Sequence, residues 1–245
     1  STQTSAASKA TKVVGVVNSA VDIIDANTTS GADTASTKAG TITTATLTGF
    51  AAAKVASAAL TTLNLGGTGT SVATWEAGST AATNTTLTVN TNALTLTGTL
   101  TDSSNQYKTI NFNTTGTSSL KTSAVAIVDS ALTTVNIAGS GSLAANLTVA
   151  SVTAIDASAS TGKNTITVDA TASTYAGGSG SDIVTIAAVP TKTVSGGADT
   201  ADELVLNVAA ATFANPSANA KLSGFEILGL GASATGTYDA TGFTG

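Results

Sequence analysis

Gly177-Gly178-Ser179-Gly180-Ser181-Asp182-Ile183-Val184-Thr185 follows the pattern G-G-x-G-x-D-x-U-x, with U aliphatic, at every fixed position. Such a segment folds only as one rung among stacked copies, because a single short unit cannot bury its aliphatic residue alone. Copies flank it in phase. Upstream, Gly162, Asn164, Ile166 and Val168 precede Gly180, Asp182, Val184 and Ile186 by 18 residues, so Asn164 stands where Asp182 stands. Downstream, Gly196 and Gly197 follow Gly177 and Gly178 by 19 residues, and Asp202 and Leu204 follow Asp182 and Val184 by 20. Asp199 is an extra acid in that last turn. A repeat of this length is one coil of a parallel β-roll, built from two nonapeptide-sized halves.

The turn chemistry suits a hard cation. Glycines let a tight turn aim several carbonyl oxygens at one point, Asp182 adds a carboxylate, and calcium takes six to eight oxygens. The expected calcium site therefore draws on Gly177, Gly178, Ser179, Gly180 and Asp182, with Gly196, Gly197, Asp199 and Asp202 from one neighbouring turn and Asn164 from the other. The alternate half-coil, Ala187-Ala188-Val189-Pro190-Thr191-Lys192-Thr193-Val194, has no glycine pair and no carboxylate, so metal is expected along one edge only. The competing account makes the glycines plain turn residues capped by Asp182. At Asn164 a metal-free Asx turn competes equally with a ligand role. Asp102, Asp129, Asp156, Asp169 and Asp239 read as exposed carboxylates that either join loop cation sites or, the favoured reading, cap their turns, so Asp102→Ala is expected to do little.

Composition removes most catalytic chemistry. The 245 residues include no Cys, His or Met, and all nine cations are Lys. Histidine- or cysteine-based dyads, imidazole metal sites and bidentate Arg clamps are therefore excluded, and an enzyme is not expected. A net charge of −5 with 9% charged residues offers no basic stripe for nucleic acid. No run of 18 apolar residues exists to insert in a membrane. The chain begins at Ser1 without the apolar core of a signal peptide, and reads as a segment of something longer.

A second repeat supports stacking. The word L-x-x-L-x-L recurs as Leu60-Leu63-Leu65, Tyr107-Ile110-Phe112, Leu132-Val135-Ile137, Val152-Ile155-Ala157 and Leu222-Phe225-Ile227, with Leu87 and Val89 as the rung between the first two. The residue between its last two apolar positions is Asn64, Asn111, Asn136, Asp156 or Glu226, which suggests one outward polar row. Aromatic residues make up only 4%, so Thr, Val, Ile and Ala must build the core, and these favour strands. Residues 51–60 read as a strand and turn in spite of their helical propensity, since they lack caps. An antiparallel sandwich would show similar alternation, but its hairpin signals are less regular here than the words.

Several words carry a resemblance: Ala59-Leu60-Thr61-Thr62-Leu63-Asn64-Leu65-Gly66-Gly67-Thr68-Gly69-Thr70-Ser71, Thr86-Leu87-Thr88-Val89-Asn90, Thr109-Ile110-Asn111, the run from Gly177 to Asp182, and Gly224-Phe225-Glu226 followed by Gly242-Phe243-Thr244. In this order they resemble the lattice-forming region of Caulobacter-type S-layer proteins, which are type I-secreted and carry RTX repeats. The likeness runs from about Ala39 to Thr244. It implies an all-β chain, a right-handed parallel β-solenoid or β-roll with calcium-binding RTX turns, secreted to the extracellular cell surface. The implied division is an N-terminal segment over 1–38, solenoid rungs over 39–158, a calcium β-roll over 159–208 and a terminal rung and edge over 209–245. Its implied partners are copies of itself in a two-dimensional lattice, and cell-surface polysaccharide held through a region outside this chain. The alternative function is a module of a calcium-dependent RTX adhesin, which shares the turns but needs an exposed ligand site. Where the family pattern places a further acidic turn, this chain has Val189-Pro190-Thr191-Lys192. Residues 1–38 match no part of the pattern and read as a further coil or a linker; Val13-Val14-Gly15-Val16-Val17 and Val21-Asp22-Ile23-Ile24-Asp25 suit either another coil or pairing with a neighbouring segment.

Overall fold

Parallel pairing governs the whole molecule. The structure is a computed structural model that describes residues 2–5, 10–13, 19–25, 40–75 and 83–243. Each strand ladder in it is parallel, which excludes the sandwich and leaves a β-solenoid. Two faces form one 16-stranded sheet and a third face forms a 6-stranded sheet.

The chain visits the faces in turn. The first face holds Ala10–Val13, Thr44–Thr48, Thr109–Thr115, Thr134–Gly139, Ala154–Ser160, Thr174–Ala176, Val194–Ser195 and Leu222–Ser223, and the leading halves of Thr62–Gly69 and Thr86–Leu96. The second takes the trailing halves of those two strands, then Thr117–Ser119, Ser142–Asn146, Thr165–Val168, Ile183–Ile186, Glu203–Leu206 and Ile227–Leu230. The third runs from Thr2–Ser5 through Val21–Asp25, Ala52–Ala56, Ser71–Trp75 and Leu100–Asp102 to Ile127–Val128, and stops there. Beyond that point each coil has two sides. The repeat shortens from 23 and 25 residues (Leu87 to Ile110 to Val135) to 18 and 20 (Ile166 to Val184 to Leu204). The two-sided roll therefore begins upstream of residue 159. One apolar cluster runs unbroken from Val21 to Phe225 through both parts.

The expected registers hold where the nonapeptide sets them. Val184 pairs with Ile166 and Leu204, Ile186 with Val168 and Leu206, and Val184, Ile186, Leu204 and Leu206 are wholly buried. Residues 51–60 form the strand Ala52–Ala56 and a turn, as their lack of caps suggests. Val21–Asp25 pairs with Thr2–Ser5 and Ala52–Ala56, so the N-terminal segment contributes earlier coils, although 14–18 lie outside the described residues.

Two expectations are corrected. The first word sits two residues out of step with the next: Leu63 pairs with Val89, which pairs with Phe112 instead of Ile110. The outward polar row is consequently two rows. Asn90 donates to Asn64 and Asn113 donates to Asn90, while Asn136 donates to Asn111. Glu226 leaves the row altogether, because Ile227 pairs with Glu203, which sets Glu226 beside Asp202.

Coil spacing also explains the glycines. A Cβ on Gly180 would lie 2.5 Å from the Gly162 carbonyl oxygen, one on Gly162 2.1 Å from that of Gly141, and one on Gly141 2.2 Å from that of Gly116. These turns need glycine for close approach whatever they bind.

Val184→Asp should place an unpaired charge in this core at a cost of several kcal/mol and abolish cooperative unfolding, whereas Thr185→Asp, one residue away on the outward side, should leave the β circular dichroism intact. Matching unfolding curves for the two variants would contradict the register.

Candidate functional site

The strand-entry turn between the first and second faces carries one polar residue per coil: Asn164, Asp182, Asp202, then Glu226. Each of the three acids reaches back to the coil before it. The Asn164 N–H donates to Asp182 Oδ1 at 2.8 Å, the Asp182 N–H to Asp202 Oδ1 at 2.7 Å, and the Asp202 N–H to Glu226 Oε2 at 3.0 Å. The backbone clamps the same levels, with the Ile183 N–H on the Asn164 carbonyl and the Glu203 N–H on that of Asp182, both at 2.8 Å. Every acid in the column thus caps the amide just ahead of the preceding coil's strand, which gives the Asp of the nonapeptide a structural duty of its own.

Asp182, fully buried, is also fully satisfied. Oδ1 accepts from the Asn164 N–H and, at 3.0 Å, from Asn164 Nδ2; Oδ2 accepts from Tyr175 Oη and the Gly178 N–H, each at 3.1 Å. Burial raises its pKa from the ordinary aspartate value, and the hydrogen bonds act in the opposite direction. Burial likewise pushes the Tyr175 hydroxyl up, with Asp182 adding to the effect. Asn164 enters the network as a donor, since Nδ2 faces Ser160 Oγ, the Gly162 carbonyl and Asp182, while its Oδ1 is buried without a partner.

Asp202 differs. It is also wholly buried, yet only Oδ1 is engaged; Oδ2 has no partner. Burial raises its pKa, and the charges of Asp182, Glu226 and Asp199 raise it further. Asp199 is occupied locally, its Oδ1 accepting from the N–H groups of Thr200 and Ala201. Gly177 and Gly196 lie close to the acids: a Cβ on Gly177 would be 3.0 Å from Asp182 Oδ2, and one on Gly196 2.6 Å from Asp202 Cβ. Gly178 donates to Asp182, the exposed Ser179 gives its N–H to the Ser160 carbonyl, and Gly197 has a φ of 124° that favours glycine.

The site residues expected from sequence are therefore neighbours, but not equals. Around Asp202 the donor set is all oxygen and anionic, and a buried lone pair is open, which suits a hard divalent cation. Among the described residues no three acidic side chains converge on one point, so a cation there must draw its other ligands from backbone carbonyls and water. Glu226 is the member that sequence reasoning assigned elsewhere. Its signal is the glycine before it, since Gly224 stacks on Gly196 as Gly196 stacks on Gly177.

A second set of acids lines the turns leading back to the first face. Asp25, Asp102 and Asp129 are buried, not exposed. Asp102 accepts from the N–H groups of Ser104, Gln106 and Tyr107, at 2.5 to 3.0 Å. Asp129 lies beside it in register and accepts from the Ala131 N–H, with Oδ2 buried and unpartnered. Burial raises the Asp129 pKa to about 6, with the Asp102 charge adding to it. Asp156, Asp169 and Asp239 cap their own turns as expected.

Comparison with known proteins finds no matching family model and no matching curated protein. No helix among the described residues is long and apolar enough to cross a membrane.

Two outcomes follow for the buried caps. Asp102→Ala strands three backbone donors and should cost roughly 1–3 kcal/mol in urea unfolding, in contrast to the small effect its sequence suggests. Asp129 is held more protonated in the folded chain than in the unfolded one. Its contribution is complete below the unfolded pKa of 3.8 and is lost as pH rises to about 6. Asp129→Asn, which keeps the cap, should therefore raise the urea midpoint at pH 7 relative to wild type and converge with it near pH 4.

Proposed function

We propose that this chain is a structural module of a bacterial surface layer: an extracellular, calcium-dependent β-solenoid that folds after secretion and assembles with copies of itself into a two-dimensional cell-surface lattice. The observation that carries the reading is Asp202, a fully buried carboxylate with one oxygen unpartnered and three further acids acting on it. Stacked coils force those charges together, so closing the roll without a cation is unfavourable. A calcium ion held by Asp202, its shell completed by backbone carbonyls and water, supplies the missing positive charge. Low cytosolic calcium then leaves the roll open for export, and millimolar external calcium closes it by binding only the folded state.

The surface supports assembly. Outward positions on the first face are Thr, Asn and small residues, as in Thr46, Asn64, Asn90 and Asn113, so few charges oppose contact between copies. Val128, Ile227 and Leu230 are exposed apolar side chains on edge strands. Exposed strand edges without charged side chains are pairing surfaces. The ordered words shared with RTX S-layer proteins point the same way.

The adhesin alternative has one feature in its favour, a shallow groove on the first face lined by Thr46, Thr48, Asn64, Asn90, Asn92 and Asn113. Its amides and hydroxyls suit a neutral polyhydroxyl ligand. No catalytic role is proposed for a chain without His, Cys or Arg.

Electron microscopy with a calcium titration separates the readings. The purified protein should be monomeric in chelator and form extended sheets at millimolar calcium. Strictly monomeric behaviour at high concentration in millimolar calcium would remove the lattice, and saccharide binding under those conditions would favour the adhesin.

A further inference from the structure

A carboxylate offers about four lone-pair positions, and a carboxylate facing four donors has nothing left for a metal. Asp182 is in that state, with Asn164 N–H and Nδ2 on Oδ1, and Tyr175 Oη and the Gly178 N–H on Oδ2. Asp202, one coil further, is not, since its Oδ2 is buried and unpartnered. The contrast has a cause in the sequence. Tyr175, 2% exposed, stands on the first face in register with Ile155 before it and Val194 after it. The coil that carries Asp182 therefore has a phenol aimed at its acid, and the coil that carries Asp202 has at the equivalent place a valine with nothing to donate.

We propose that the Tyr175 hydroxyl stands in for a cation at Asp182, so that the nonapeptide turn closes without metal, and that the cation-dependent level of the column is Asp202, where that hydroxyl is missing. Only the second half rests on the calcium reading above. At Asp182 Oδ2 a hydroxyl hydrogen and a metal ion compete for the same lone pairs, and the hydroxyl is covalently tethered beside its acceptor. The motif thus marks the Asp182 turn as the metal site, while the donors around it mark that turn as already closed. Metal dependence is displaced by one coil, to the turn altered by the extra acid Asp199.

The test compares wild type, Tyr175→Phe, Asp182→Asn and Asp202→Asn as full chains, in EDTA and in calcium, by urea unfolding, amide hydrogen exchange and calcium calorimetry. In EDTA, wild type should protect the Asn164 and Gly178 amides, and Tyr175→Phe should lower the folded-to-unfolded ratio about ten-fold, the size of one buried hydrogen bond to a charged group, while speeding exchange at both amides. Adding calcium should increase protection at Glu203 and Glu226 but not at Asn164. Asp202→Asn should abolish calcium binding, and Asp182→Asn should leave it within a few-fold of wild type. Should Tyr175→Phe fold only when calcium is added, the ion has taken the hydroxyl's place and the stand-in role is upheld. Unprotected Asn164 and Gly178 amides in EDTA, or a Tyr175→Phe variant matching wild type there, would overturn it. Calcium binding that survives Asp202→Asn and vanishes in Asp182→Asn would put the ion back at Asp182. If wild type binds no calcium, the functional reading and the Asp202 assignment both fall, and the EDTA comparison still decides Tyr175.

Discussion

Parallel backbone hydrogen bonding from coil to coil sets every other property of this molecule. It fixes successive strands at about 4.8 Å, so whatever occupies a position in one coil meets its counterpart in the next at contact distance. Identical residues are therefore either mutually satisfied or mutually opposed. Amides are satisfied: Asn64 and Asn90 each donate to the coil before and accept from the coil after, and Asn113 donates to Asn90. Methyl-bearing side chains are satisfied by burial in the continuous core. Side chains larger than hydrogen collide where turns stack tightest, which is where the columns from Gly116 to Gly180 and from Gly177 to Gly224 stand.

Carboxylates are the opposed case, and the chain resolves it in different ways at different levels. The cap geometry is common to all: an acid at a turn takes the amide of the neighbouring coil or of its own turn, which costs nothing in packing and removes a buried unsatisfied donor. The second oxygen is where the levels diverge. At Asp182 a tyrosine and a glycine amide occupy it; at Asp102 two backbone amides do; at Asp202 and Asp129 nothing does. Burial raises the pKa of both of these last two, and neighbouring acids add to it, so the folded chain holds them against their preference for charge.

The parallel solenoid and its inner rungs were legible in the sequence because they are periodic. An 18- or 20-residue offset between like residues predicts a register directly, and Val184, Ile186, Leu204 and Leu206 lie where that offset puts them. Features that break the period were not legible. The loss of the third face after Ile127–Val128 changes the coil length without leaving a motif, and the two-residue slip at Leu63 is invisible when all the residues concerned are Leu, Val or Thr. Site residues suffered similarly. Asp102 and Asp129 look like surface turn caps because a cap is a local pattern, whereas their burial comes from the coils on either side. Tyr175 belongs to no motif, and its bearing on Asp182 depends on a strand residue and a turn residue seven apart in sequence meeting in the interior.

The same spacing rule governs the last coil. Inside the stack each strand of the first two faces has a partner on both sides, so a low-aromatic core of Val, Leu, Ile and Ala suffices, with each rung burying the one before it. Ile227–Leu230 pairs on one side only, with Glu203–Leu206, and Ile227 and Leu230 are 45% and 58% exposed. Glu226, which opens this strand, extends the acid column to its outermost level and faces Asp202 from the least supported coil. Charge repulsion from Asp202 and incomplete burial thus act on the same strand. That coil sets Glu226 against Asp202 and, among the described residues, leaves one edge of Ile227–Leu230 unpaired. The acid column and the unpaired edge therefore meet in a single short strand.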